Sequence, residues 1–186
     1  MTRPDIAIEY LTNHPELVDA LARLSWKEWQ EIYQQREQTL DDCLKNYQER
    51  MNTDRLPLTL VALVTDVSAR RRNEHARSEP DRHCVRSPDV TLVGMVSLKY
   101  HDMDTRPDLD PWLGGLFVLP EWRNQGMGTM LMHRATEEAR RLKVPRLYLW
   151  THSAERLYRR LGWQVVERSD YFGKEVVVMQ VDLGRQ

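Results

Sequence analysis

The stretch from Leu116 to Thr129 constrains this chain more than any other. An apolar run, Leu116-Phe117-Val118-Leu119, reads as a strand, and Pro120, which lacks a backbone donor, ends it. Two closely spaced glycines, Gly126 and Gly128, then open a helix whose apolar face is Leu131, Ala135, Ala139 and Leu142. A strand–turn–helix order of this kind leaves unpaired N–H groups converging at a helix N-terminus, where the helix dipole also favours negative charge. A phosphate-bearing ligand is the natural occupant. The turn lacks the Gly-Lys-Ser/Thr ending of an ATP-binding P-loop, which argues against a nucleoside triphosphate.

The surrounding pattern predicts a strand at 6–11 and a helix opening at Asn13, with Pro15 and Glu16 behind it. Leu17, Ala20, Leu21 and Leu24 share one helical face, whereas Trp26, Trp29 and Tyr33 share another, so a bend is expected near Ser25. A second helix opens at Thr39, with Asp42 at the capping-box position and a buried stripe of Leu40, Cys43, Leu44, Tyr47 and Met51. Cys43 belongs to that stripe and reads as packing. Strands are predicted at 58–64, 90–100, 112–119 and 147–150. The glycine-turn helix is expected to stop at Pro145, and Ser153 to cap a two-turn helix that ends at Leu161 with Gly162 as its left-handed stop. Final strands at 163–167 and 175–181 are joined through 169–173. Segment 68–89 is rich in arginine, glutamate and proline with almost no large apolar residue, so it reads as a flexible insert, a long hairpin excursion or a disordered one. The order β-α-α-β-β-β-α-β-α-β-β implies an α/β protein with an α+β mixed sheet: a right-handed parallel crossover at the centre, antiparallel hairpins beside it, and helices on both faces.

With 186 residues, the chain fits one domain over 1–186. A formal net charge of −1 argues against a dedicated nucleic-acid partner, whose footprint would be basic. No apolar run is long enough to span a bilayer, and the N-terminus lacks a signal-peptide core, so no membrane partner is expected. Two cysteines, Cys43 and Cys84, suit a reducing compartment, and the expected location is cytoplasmic. His75, His83 and Cys84 match no familiar ligand spacing, so no metal is expected.

Two signatures carry a resemblance. Arg123-Asn124-Gln125-Gly126-Met127-Gly128 is similar to the Arg/Gln-x-x-Gly-x-Gly/Ala turn of the GNAT superfamily of acyl-CoA-dependent N-acetyltransferases. Downstream, Thr151-x-x-Ala154-x-x-x-Tyr158-x-x-x-Gly162-Trp163 resembles that family's Asn-x-x-Ala-x-x-x-Tyr-x-x-x-Gly-Phe motif. Gly-x-Gly alone is a weak signal; the two motifs at this separation are a strong one. The element order fits as well, so the resemblance implies a GNAT-like fold with a splayed central parallel strand pair. The run 111–118 is further similar to a subset of bacterial members and to acetyltransferases that act on protein N-termini.

The resemblance implies acetyl-CoA as cosubstrate. Its pyrophosphate would sit on the N–H groups of Gln125, Gly126, Met127, Gly128 and Thr129, with Arg123 pinning the turn or touching phosphate and Thr151 nearby. Asn124 stands where many members have glycine, and asparagine enters the left-handed region readily. The pantetheine arm would pair with the strand at Leu116, Phe117 and Val118, and an N–H there, that of Val118 or a neighbour, would polarise the thioester carbonyl. Tyr158 is the expected acid for the departing thiolate.

Many members carry a glutamate base where this chain has Gly114-Gly115, which shifts the expectation to a water relay. The loop 101–110 brings four aspartates to the acceptor end of the cleft, and Trp26, Trp29, Tyr33 and Trp112 are candidate walls, with Tyr171 opposite. The implied activity is direct acetyl transfer to a primary amine of a small molecule or of a peptide or protein, by a monomer or homodimer. A non-catalytic acyl-CoA sensor is the alternative on the same fold.

Overall fold

A computed structural model describes residues 5–65 and 90–184. The segment 68–89, with His75, His83 and Cys84, lies outside the described residues. Seven strands form one mixed sheet: β1 (Asp5–Tyr10), β2 (Leu58–Thr65), β3 (Thr91–Lys99), β4 (Trp112–Val118), β5 (Arg146–Thr151), β6 (Gln164–Tyr171) and β7 (Lys174–Asp182), in spatial order β1-β2-β3-β4-β5-β7-β6. Among the described residues only the central β4–β5 pair is parallel. Helices α1 (Val18–Glu28), α2 (Gln30–Gln35) and α3 (Leu40–Glu49) precede β2; α4 (Met127–Arg141) joins β4 to β5, and α5 (Glu155–Arg160) joins β5 to β6. Among the described residues no helix is long and apolar enough to cross a membrane.

The near-continuous apolar runs of β2 and β3 follow from burial on both faces. In β2, Leu58, Leu60, Ala62 and Val64 pack with Met127, Leu131, Met132, Ala135 and Ala139 of α4. The alternate residues Val61 and Leu63 pack on the opposite face with Leu21 and Ala22 of α1 and Cys43 and Tyr47 of α3. Each fully buried leucine or methionine contributes about 1.5–3 kcal/mol. The period of two within a strand thus sends one set of side chains to each helical layer.

The capping box at Thr39 is present, with Thr39 Oγ1 accepting from the Asp42 N–H and Asp42 accepting from the Thr39 N–H. Other boundaries differ from expectation. Two 3-10 turns, Leu11–Asn13 and Pro15–Leu17, occupy the expected helix start, so α1 begins at Val18 without a side-chain cap. The bend falls at Trp29 rather than Ser25, because the Ser25 hydroxyl is buried against the Tyr47 hydroxyl at 2.5 Å and holds α1 onto α3. Helix α4 ends at Arg141, with Lys143 left-handed (φ 59°), ahead of Pro145. β6 runs on to Tyr171, so the β6–β7 turn is only Phe172-Gly173, both at positive φ.

The cleft comes from two backbone facts. β4 and β5 share a single registered pair, Trp112↔Tyr148, supported by the Tyr148 N–H donating to Pro111 O at 3.0 Å. Beyond it β5 stays with β7 from Arg146↔Asp182 to Thr151↔Val177, while β4 turns away. The cause is a bulge: Ser97 faces Gly114 but Met95 faces Phe117, so β4 carries one extra residue, with Gly115 at φ 63°. A left-handed glycine in a bulge bends the strand and raises its twist. β4 therefore leaves β5 just ahead of the glycine turn.

Candidate active site

At the far end of the splay, a 3-10 turn, Pro120–Trp122, leads to extended Arg123, left-handed Asn124 (φ 60°) and left-handed Gly126 (φ 83°, ψ 0°), which is the N-cap of α4. The helix makes its first bond from the Met130 N–H to Gly126 O at 3.0 Å, so the N–H groups of Met127, Gly128 and Thr129 lie ahead of it. A Cβ on Gly126 would meet nothing within 4 Å; its requirement is the dihedral. Gly128 has ordinary helical backbone, and a Cβ there would come no closer than 4.0 Å, to Val118 Cγ2. The protein's own packing thus does not demand that glycine. Arg123 braces the turn: its Nε donates to Val118 O at 2.8 Å and its guanidinium lies 5.6 Å from the Phe117 ring centroid. Gln125 Nε2 donates to Glu121 O at 2.9 Å, a second brace.

Along β4, the Leu119 N–H donates to Val93 O at 2.9 Å. In an antiparallel ladder bonded pairs alternate with non-bonded ones. Val118, opposite Gly94, therefore points its N–H and C=O away from β3 and into the splay, whereas Phe117, opposite Met95, turns its backbone to β3. Phe117, one of the expected cofactor contacts, turns its backbone polar groups to the ladder and buries its ring in the α1–α3 core. Leu116 and Val118 pack against the α4 side.

Tyr158 on α5 is buried, edge-on to Trp163 at 6.3 Å between centroids. Burial pushes its hydroxyl up to about 12, and among the described residues that hydroxyl has no hydrogen-bond partner. Ser153 does not cap α5, whose N-cap is Ala154 without a side-chain bond; the Thr151 hydroxyl instead braces the preceding turn, accepting from the N–H groups of Ser153 (3.3 Å) and Ala154 (3.0 Å). Gly162 closes the helix at φ 86°, as the spacing predicts.

At the near end of the splay a cavity of about 260 Å³ is walled by Trp29 and Tyr33 from the first helices, Gly115 of β4 and Trp150 of β5. A second, of about 420 Å³, shares Trp29, Ile32 and Trp150 and reaches Tyr171 and Phe172 of the β6–β7 hairpin. The buried Trp150 indole N–H has no acceptor among the described residues. Of the expected walls, Trp112 is instead wholly buried, its indole donating to Leu109 O at 2.5 Å, and Trp26 stacks on Tyr33 at 5.7 Å.

The aspartates divide similarly. Asp102 and Asp104 reach the cavity, whereas Asp108 pairs with Arg106 and is exposed. Both cavity aspartates already hold cations: Asp102 pairs with Lys99 at 2.5 Å, and Asp104 with Arg36 at 3.1 Å. Arg36 also donates to the Tyr171 hydroxyl and to Asp102 O. Burial lowers the Lys99 ammonium below its ordinary value, Asp102 opposes that shift, and the nearby Arg50 and Arg36 add to it. The Asp102–Lys99 pair lies on Gly114, where a Cβ would come 2.5 Å from Asp102 Oδ2 and 2.7 Å from Lys99 Cε. A carboxylate from the β3–β4 loop thus covers the strand position at which the resemblance led us to look for a glutamate.

Lys99, Arg36 and Arg50 escaped the sequence reading. The available signals were slight: a lysine closing the apolar strand β3 three residues before Asp102, and an arginine three residues after Tyr47 on the buried stripe of α3. Among the described residues no group of three or more His, Cys, Asp or Glu could hold a metal ion.

A mixed sheet opened between its parallel strands, with a left-handed turn delivering α4 at the gap, places the chain in a well-populated fold class. The model of the acetyltransferase (GNAT) family matches residues 18–163, and the chain belongs to that family. Solved structures agree on the fold. An aminoglycoside 6'-acetyltransferase type Ii superposes with TM-score 0.62 at 19% identity, over 97% of this chain and 99% of that one. An aminoglycoside 6'-N-acetyltransferase complexed with coenzyme A gives 0.62 at 17% identity, over 97% and 98%. yncA from Salmonella typhimurium, solved with its cofactor acetyl-CoA, gives 0.61 at 16% identity, over 98% and 96%. No curated protein matches the sequence significantly.

Proposed function

We propose that this protein is an N-acetyltransferase, one domain that moves the acetyl group of acetyl-CoA to a primary amine in a ternary complex. The carrying observation is the splay of β4 from β5, with the Val118 N–H turned into the gap and the α4 N-terminus at its end. An extended pantetheine arm has the dimensions and the alternating amides to replace the missing strand neighbour of Leu116 and Val118. The N–H groups of Gly126, Met127, Gly128 and Thr129 then receive the pyrophosphate, while Arg123, Asn124 and Gln125 hold the turn in shape. Thr151 acts by fixing the start of α5, and so Tyr158.

The Val118 N–H polarises the thioester carbonyl as charge develops on its oxygen. The acceptor enters through the cavity at Gly115 and Trp150 as an ammonium ion and loses to solvent, through an ordered water, the proton that frees its lone pair, with the Asp102 carboxylate orienting that water. Attack on the carbonyl carbon and collapse expel the thiolate. Because the Tyr158 hydroxyl sits near 12 and a thiol near 8.5, full transfer from the phenol is uphill by roughly 4–5 kcal/mol. Tyr158 therefore serves mainly as a hydrogen-bond donor to the leaving sulfur, and the proton retained by the thiol originates on the amine.

The test is thiol release from acetyl-CoA over an amine panel, alongside calorimetric coenzyme A binding. Turnover of any amine that collapses in Tyr158→Phe while coenzyme A still binds supports the reading. Tight coenzyme A binding with no turnover of any amine makes the protein a sensor and refutes it. The acceptor cavity argues against the sensor, since an open wall at Gly115 is of no use to a protein that only binds the cofactor.

A further inference from the structure

The acceptor cavity carries more positive than negative charge. Arg36, Arg50 and Lys99 line it against Asp102 and Asp104. Each carboxylate already belongs to one cation, Asp102 to Lys99 and Asp104 to Arg36. That leaves Arg50. Its guanidinium lies 5.2 Å from the Tyr47 ring centroid, it is half-buried, and among the described residues no carboxylate pairs with it. A partly desolvated cation on a cavity wall is costly unless an anion completes it. A guanidinium is moreover the donor best matched to a carboxylate, through two parallel N–H···O bonds.

Position and charge narrow the partner. Gly115 and Trp150 mark the cavity end at the strand gap, while Arg50 comes from the end of α3, with Asn46 of the same helix beside it. The cavity of about 260 Å³ that holds Arg50 adjoins the one of about 420 Å³ along Trp29, Ile32 and Trp150. A polyamine or an aminoglycoside, cationic throughout, is of the wrong sign for the Arg50 wall.

On the transferase reading above, we propose that the acceptor is an amino acid: an amine presented at Gly115 on a molecule whose carboxylate is held by Arg50. Arg50 is then a specificity-determining residue, distant from the reacting atoms.

The experiment compares thiol release, at saturating acetyl-CoA, for the standard amino acids, their α-carboxamides and spermidine. The wild type is expected to favour the best acid over its own carboxamide by at least about tenfold in kcat/KM, the ratio one charge-assisted contact supplies. In Arg50→Gln that ratio falls towards one, through a higher KM for the acid and not through kcat; Arg50→Lys restores part of it. Carboxamides or spermidine used as well as the acids, or a ratio unmoved in Arg50→Gln, overturns the assignment while leaving the transferase reading intact. Should no amine turn over, the transferase reading fails first, and calorimetry on the coenzyme A-loaded protein still decides the anion site. There, N-acetylglycine must bind more tightly than N-acetylglycinamide, and only in proteins that retain a cation at position 50. A melting curve for Arg50→Gln confirms folding, since that side chain carries no hydrogen bond to another described residue.

Discussion

Replacing Asp102 by asparagine keeps the shape of the cavity wall but strands the Lys99 ammonium. Both side chains are largely covered, Lys99 at 16% and Asp102 at 10% exposure, and they meet at 2.5 Å. Removing one partner of a buried pair costs about 3–5 kcal/mol, and the residual exposure here places the expected loss near the lower end, about 3 kcal/mol. For a chain of this length that is a fall in Tm of roughly 6–12 °C.

The loss also has a pH signature. Burial holds the Lys99 ammonium below its ordinary value of 10.5 in the folded protein. Between that lowered value and 10.5 the unfolded chain binds more protons than the native one, so stability rises with pH there. Asp102 opposes the shift; without it the folded value drops further and the window extends down towards neutrality. The variant should therefore be most damaged at acidic to neutral pH, where an unpaired ammonium stays buried, and should recover as Lys99 sheds its proton. Urea unfolding of both proteins between about pH 6.5 and 9.5 measures this. The double variant Lys99→Met/Asp102→Asn should regain most of the loss. A loss below about 1 kcal/mol, or one constant across that range, would refute the buried-pair argument.

Tyr158→Phe should lower kcat by about tenfold to a hundredfold with coenzyme A affinity within about threefold, and the wild-type rate should show no alkaline fall from this hydroxyl below about pH 10. An alkaline limb that disappears in the phenylalanine variant would contradict the assigned protonation. Gly126→Val should weaken coenzyme A binding more than tenfold by straining a φ of 83°, whereas Gly126→Asn, following the left-handed precedent of Asn124, should stay within a few-fold. Equal affinities by calorimetry would dismiss the dihedral requirement. Gly114→Ala should dislodge the Lys99–Asp102 pair, since its Cβ falls 2.5 Å from Asp102 Oδ2, with a stability loss of about 1–3 kcal/mol seen in a thermal melt.

What sequence alone settled rests on local rules. The helix at Thr39, the left-handed Asn124, Gly126 and Gly162, and the apolar strands β2 and β3 follow from capping, dihedral preference and residue type, which act within a few residues. The two motifs located the glycine turn and Tyr158 for the same reason: each occupies one continuous segment. Tertiary structure decided the rest. Ser25 and Tyr47, far apart in the chain, set where the first helix could break, and Thr151 at the end of β5, rather than Ser153, holds the turn that leads into α5. The ladder to β3 determined that Val118, and not Phe117, faces the gap. The acceptor wall depended on tertiary structure most of all. Arg36, Arg50, Lys99 and Asp102 come from three separate regions of the chain, and whether their charges cancel is a matter of distance in space, which no spacing along the sequence encodes.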